Sequence, residues 1–507
     1  MRRAAFVAIA SLALCAAPLK AQEHEHPVQP EKLGTVHFAT SCNPGVTAGF
    51  DRAVALLHSF EFGASIKGFN DVIAADSSCA MAYWGLALSR WGNPVAVGNR
   101  GVALLQQGAQ WAARGAGLAA APVVTARERG YLSAVNQLYD DYANRDQATR
   151  VGAYSHAMEA LAAREPADTE AKIFYAISLV AASSPTDKTY ANQLKAGEIL
   201  EALWVKQPDH PGLAHYIIHA YDYPPLAQRA RAAAERYSVI APSAAHALHM
   251  PSHTFTRVGM WKSSVDANER SNAVAIAAGS IAEALHASDY EMYAYLQLGD
   301  YAKAKAILDR LPTLAARFNA AAITGAAPPT AAYFAIAAIP ARWALERGAW
   351  AEAAALEPKT TAEFPYADAM THFARALGAT RIGELGKATT SIDSLNGIQQ
   401  RLAAKNEPYL AEQVAIHLLG AQAWLELARG HSGKALELMS EAATREDATE
   451  KSAYSPGPLA PARELLGDML QQLGRSQKAR AAYELVLQRE PNRRRSLAAL
   501  GRQVATN

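Results

Sequence analysis

Six histidines between positions 215 and 286 carry the strongest chemical signal in this sequence. The stretch "HALHMPSHTF", residues 246 to 255, holds His246, His249 and His253. Offsets of three and seven put them on one face of a continuous helix, and Pro251 is expected either to kink that helix or to open a shorter one. Upstream, "HPGLAHYIIHAYD" holds His215 and His219, four apart and therefore on one face. Downstream, "LHASDYEMYAY" adds His286 and Asp289. Imidazole nitrogen is a ligand for zinc, copper or iron, and a carboxylate completes or orients such a site. The expected ligand set for a divalent transition metal is thus His215, His219, His246, His249, His253, His286 and Asp289. Tyr216, Tyr221, Asp222, Tyr290 and Tyr293 are expected to line the adjoining ligand groove or to serve as acid–base groups.

Two plainer readings of the cluster stay open. One is a proton-sensitive structural network, the other a polar groove for a peptide. Other candidates read as structure. His58 in "ALLHSFEF" fits a hydrogen-bonded core histidine. Glu450, Lys451, Arg463 and Glu464, in "TEKSAYSPGPLAPARELLGD", fit a long turn whose charges are solvated or paired. The string "NRRR" fits a solvated helix start. Phosphate-cradling GxxxxGK[ST], dinucleotide-binding GxGxxG, HExxH and GxSxG are all absent. Nucleotide-driven chemistry, zincin proteolysis and serine hydrolysis are therefore poor expectations.

The elements that must hold these side chains are helices. Alanine is abundant and apolar positions recur at three and four, while runs of alternating β-branched residues are missing. Segments end alike, as "LAAREP" at Pro166, "LWVKQP" at Pro208, "YSVIAP" at Pro242 and "LQREP" at Pro491. The clearest unit is "PARELLGDMLQQLGRSQKARAAYELVLQREPN". There Gly467 permits close helix approach, Gly474 opens the turn, Ala479 and Tyr483 fill the contact face, and Pro491 ends the second helix. This is the tetratricopeptide pattern of two antiparallel helices per unit. The expected fold is all-α, an irregular α-solenoid of stacked helical hairpins that share a continuous core.

The chain has 507 residues, 19% of them charged, and a formal net charge of +2. Such a balance gives no reason to expect nucleic acid or an anionic membrane as partner. Residues 1–21 read as a secretory signal, with Arg2 and Arg3 before a short apolar run. That makes the protein exported, periplasmic or secreted, with no integral membrane span once the signal is removed. Cys42 and Cys79 then remain as a candidate disulfide. Residues 22–45 read as a flexible segment, 46–312 as a first array carrying the histidines, 313–332 as an insertion or linker, and 333–507 as a second array. The regions around 96–130 and 313–332 fit the repeat poorly and are expected to cover the groove.

The stretches "SCAMAYWGLALSRWGNP", "HALHMPSHTFTRVGMW", "DYEMYAYLQLGDYAKA" and "PARELLGDML" resemble a largely uncharacterised group of bacterial exported tetratricopeptide-repeat proteins. The likeness spans about residues 35 to 495. It implies the helical-repeat fold and, generically, a protein or peptide partner. It carries no reaction, and the oligomeric state stays open. The first functional expectation is a partner or ligand bound in the inner groove at the histidine-rich site. The alternatives are a metal-dependent enzyme or metal-binding protein, and a purely structural assembly adaptor.

Overall fold

The computed structural model describes residues 31–359 and 364–505. The expected leader, residues 1–21, lies outside the described residues, as does the first part of the 22–45 segment. No strand occurs among the described residues, and the chain is a succession of helices.

The first half runs α1 (Thr47–His58), α2 (Phe62–Ala75), α3 (Ala80–Trp91), α4 (Val102–Leu118), α5 (Ala126–Gln137), α6 (Gln147–Arg164), α7 (Thr169–Ala181), α8 (Ala191–Trp204) and α9 (Pro211–Tyr221). The middle holds α10 (Arg231–Ile240), α11 (Ala245–His249), α12 (Pro251–Arg257), α13 (Trp261–Ala277), α14 (Ile281–Leu298) and α15 (Tyr301–Ala315). The last part holds α16 (Pro329–Glu346), α17 (Trp350–Ala354), α18 (Pro365–Arg381), α19 (Leu385–Ala404), α20 (Pro408–Ala428), α21 (Ser432–Ala448), α22 (Ala462–Gln472), α23 (Ser476–Arg489) and α24 (Arg494–Ala499). Consecutive helices pack against one another along the whole chain, as stacked hairpins must when no single pair can bury its own apolar face. The described residues from Lys32 onward form one compact unit.

The repeat punctuation works as its residue types require. Pro166, Pro208, Pro242 and Pro491 each follow a helix end by a few residues, where a missing N–H and a fixed φ stop propagation. Gly474 turns between α22 and α23 at φ +70°, a conformation that costs other residues about 1–2 kcal/mol. The Tyr483 ring of α23 lies where a Cβ on Gly467 of α22 would sit, so glycine there sets how closely the helices approach.

Two expectations fail. Residues 32–45 are not a flexible tail: they bury Leu33, Val36 and Phe38, and the Phe38 ring packs within 5.1–5.5 Å of the Phe50, Trp84 and Tyr131 rings. The Thr35 amide also donates to the Asp209 carbonyl at 2.9 Å. These three buried apolar side chains and the backbone bond hold an extended stretch that its Pro-rich polar flank conceals. Nor is "NRRR" wholly solvated. Arg493 is fully buried, donating to Glu464 at 2.8 Å, Glu346 at 2.7 Å and the Tyr293 hydroxyl at 2.9 Å. It ties α24 to α14, α16 and α22.

The Cys42 and Cys79 sulfurs are bonded, which pins the start of the described chain to α3. The bridge closes a loop with a sequence separation of 37. Loop-closure entropy for that length is worth about 4 kcal/mol. Denaturant unfolding with and without a reductant is expected to differ by roughly that amount.

Candidate metal centre

Four helices supply the six histidines. Residues at spacing four on α9 bring the His215 and His219 rings to one face, with their Nε2 atoms 3.0 Å apart. Pro251 does open a new helix, α12, at its first position. Met250, between α11 and α12, nevertheless keeps right-handed helical angles, so His249 and His253 stay on one face and their Nε2 atoms also lie 3.0 Å apart. His246 comes from α11 and His286 from α14.

The rings form two sets. One ligand atom from each of His215, His219 and His246 lies within 4.8 Å of the other two, and the same holds for His249, His253 and His286. The sets adjoin: ring centroids of His219 and His253 are 6.3 Å apart, and those of His246 and His249 5.9 Å. Spacings within a set span 4.4–6.3 Å, so the gap between sets is no wider than the gaps inside them. Each of the six residues is at most 5% exposed.

The outer nitrogens decide the tautomers. His249 Nδ1 lies 2.7 Å from Asn268 Oδ1, and Asn268 Nδ2 donates to the Ser264 carbonyl at 2.7 Å, which fixes the amide with its oxygen toward His249. His253 Nδ1 lies 2.9 Å from Asp222 Oδ2. Both Nδ1 atoms face acceptors and therefore carry the protons. Each Nε2 is then a bare lone pair, and the two confront each other at hydrogen-bond distance with no hydrogen between them. Burial disfavours the protonated form of both imidazoles. A cation between the two lone pairs relieves the contact. Nitrogens at 2.0–2.1 Å from a tetrahedral ion lie about 3.3 Å apart, close to the spacing seen.

In the other set two of the three rings have such outer partners. His215 Nδ1 donates to the His58 carbonyl at 2.6 Å, leaving its Nε2 free toward His219. His246 Nδ1 faces Glu283 Oε1 at 2.9 Å, and its buried Nε2 has no hydrogen-bond partner. Carboxylates and carbonyls on the far nitrogen are the arrangement that orients imidazole ligands and raises their basicity. Buried His286 Nδ1 is likewise unpartnered.

Asp222 is the hinge of the charged surround. It accepts from His253, from Arg257 Nε at 2.8 Å and from Lys451 Nζ at 3.3 Å. Burial alone would raise its pKa, but Lys451 and Arg257 hold the carboxyl well below the usual range. Burial brings the Lys451 ammonium down to about 8. Lys451 is thus paired and buried beside the histidines. The loop bearing it closes over the site: Tyr290, stacked on His253 with centroids 4.8 Å apart, donates to the Ser455 carbonyl at 3.0 Å.

Several expected site residues belong elsewhere. Asp289 is no ligand: it is fully buried and receives Arg342 Nε at 2.8 Å and Nη2 at 3.3 Å. Arg342 also donates to the Gly457 carbonyl at 2.8 Å, so this pair anchors the covering loop. Tyr221 leaves the groove, because its ring fills the space a Cβ on Gly197 of α8 would take and Arg229 lies over it at 4.4 Å. Tyr293 joins the Arg493 network, and the Tyr216 hydroxyl lies 3.1 Å from His58 Nδ1. His58 is hydrogen-bonded in the core as expected, with Nε2 2.9 Å from Glu170. Glu170 also meets His210 Nε2 at 2.9 Å, making a further buried cluster of three groups.

A small cavity of ≈10 Å³ is lined by His219, His246, His253 and His286, with Met250 and Tyr454. Ala326, Ala327 and Pro328 of the 313–332 segment also border it, and the Ala327 amide donates to Glu283 Oε2 at 2.9 Å. A cleft of ≈560 Å³ adjoins, lined by His219, Asp222, Tyr223, Tyr409, Glu450 and Lys451. Of the six histidines, His219 reaches the lining of this cleft.

Residues 460–493 match the tetratricopeptide repeat family model. The chain carries a tetratricopeptide repeat. No curated protein matches it. Among solved structures, yeast Tom70 is similar at 12% identity and TM-score 0.38, covering 90% of this chain and 94% of that one. The human IFIT1 dimer with PPP-AAAA is similar at 11% and 0.38, covering 86% and 88%. The APC/C hetero-tetramer Cut9–Hcn1 is similar at 13% and 0.36, covering 84% and 76%. No described helix is long and apolar enough to cross a membrane.

Proposed function

We propose that this tetratricopeptide-like solenoid is a metalloprotein, holding two transition-metal ions side by side on His215, His219 and His246 and on His249, His253 and His286. The observation that carries the reading is the His249–His253 contact. Two unprotonated Nε2 atoms face each other at 3.0 Å while both Nδ1 atoms are committed to Asn268 and Asp222. A structural network would place a donor against an acceptor there. Each ion keeps coordination positions open beyond its three imidazoles, the feature that separates reactive from structural sites. The adjoining cleft is where a substrate or peptide reaches the centre. The apolar leader and the Cys42–Cys79 bridge support an exported protein, and export favours a metal acquired outside the cytoplasm.

Elemental analysis of protein prepared without a histidine tag tests this reading. About two transition-metal ions per chain are expected after dialysis against metal-free buffer. A chain that keeps none, after loading with zinc, copper or iron, contradicts it.

A further inference from the structure

We infer that the two ions are copper and that the centre binds dioxygen between them. The inference rests on the two-metal reading above and adds the metal and its small-molecule ligand. Three observations carry it.

The ligand atoms are imidazole nitrogens throughout. Three carboxylates come near: Asp222 and Glu283 are turned to the outer nitrogens of His253 and His246, and Glu61 accepts from the His246 amide at 3.3 Å. Both oxygens of Asp222 and of Glu283 are taken by protein donors, so neither is left to bridge the ions, which disfavours manganese, magnesium and carboxylate-type iron pairs. Imidazole suits copper, which tops the affinity series for nitrogen sites.

The charge balance points the same way. Asp222 is matched by buried Arg257 and Lys451, so with Glu283 the surround sums to about zero charge. Two divalent ions in such a site would place about four uncompensated charges in a buried volume, whereas two Cu(I) ions place about two.

The space at the junction is small. The ≈10 Å³ cavity touches His219 and His246 of one set and His253 and His286 of the other. That is room for a ligand the size of about one water molecule. Dioxygen fits such a gap, and a larger substrate must stay in the cleft. The reaction balances without another reagent: each Cu(I) gives one electron, dioxygen takes both and becomes a peroxide dianion bound across two Cu(II) ions. No proton moves and the O–O bond stays intact. The summed charge of ions and ligand is the same before and after, so the buried surround need not reorganise.

The full chain would be loaded anaerobically with Cu(I), then exposed to oxygen while uptake and paramagnetism are followed. Expected are about one dioxygen per two coppers, a new charge-transfer absorption, and no paramagnetic signal because the two Cu(II) spins couple. His215→Ala and His286→Gln disturb different sets, and each is expected to abolish uptake rather than halve it, since both electrons are needed. Variant melting curves and residual copper content identify folded, singly loaded protein. Uptake that survives in such singly loaded protein overturns the inference. So do two bound coppers that ignore oxygen, or that yield isolated paramagnetic Cu(II); these results leave the two-metal reading intact. Stable loading with zinc but not copper also removes copper alone. Failure to bind any metal removes both.

Discussion

His249→Ala is expected to lose one metal ion and keep the other. The side chain supplies one of three nitrogens to its set, and its Nε2 faces His253 Nε2 directly. Two remaining imidazoles hold an ion poorly, while His215, His219 and His246 keep their own outer partners, the His58 carbonyl and Glu283 among them. Metal content is expected to fall from about two ions per chain to about one. The variant also removes the lone-pair conflict of the metal-free protein, so its apo form is expected to melt no lower than the apo wild type once the lost packing is allowed for. A purely structural histidine gives the opposite pattern, with unchanged metal content and a lower melting temperature.

Asp222→Ala is expected to act on stability and metal affinity together. Its carboxylate faces His253, Arg257 and Lys451 at once, and its loss removes the ion-pair carboxylate of two buried cations. Breaking a buried pair of this kind costs about 3–5 kcal/mol. Losing the oxygen that orients His253 lowers affinity at that set by about 10–100-fold. Asp222→Asn keeps an acceptor for His253 Nδ1 but removes the charge. It is expected to recover most of the metal affinity and little of the stability. Denaturant unfolding and competition with a chelator read the two effects separately. Equal losses of affinity in both variants would show that the oxygen does not orient the ring.

The fold was legible because its rules are local. Gly467, Gly474, Ala479, Tyr483 and Pro491 each act on neighbours within one hairpin, and the sequence displays them in order. The histidines were legible for the same reason, since spacings of three and four show which rings share a helix face. What helix phase omits is the neighbour across the interface. Asp289 sits three residues after His286, yet Arg342, 53 positions away in a largely apolar helix, claims its carboxylate. Tyr221 follows His219 by two, but the missing side chain at Gly197 draws its ring away.

The outer partners were the least legible part. Asn268, Glu283 and the His58 carbonyl lie on α13, α14 and α1, and nothing near them in sequence marks them as partners of imidazoles. A single hint existed in Glu283, an acid three residues before His286 on a helix rich in apolar side chains. Lys451 shows the converse. A Pro/Gly-rich loop suggests solvated charge, but the covering loop carries this lysine inward to Asp222.

Anomalous X-ray diffraction from metal-loaded crystals tests the central claim most directly. Two peaks are expected, each about 2.0–2.2 Å from three nitrogens of its own histidine set. A single peak at His58, Glu170 and His210, or none near His249 and His253, would contradict the account.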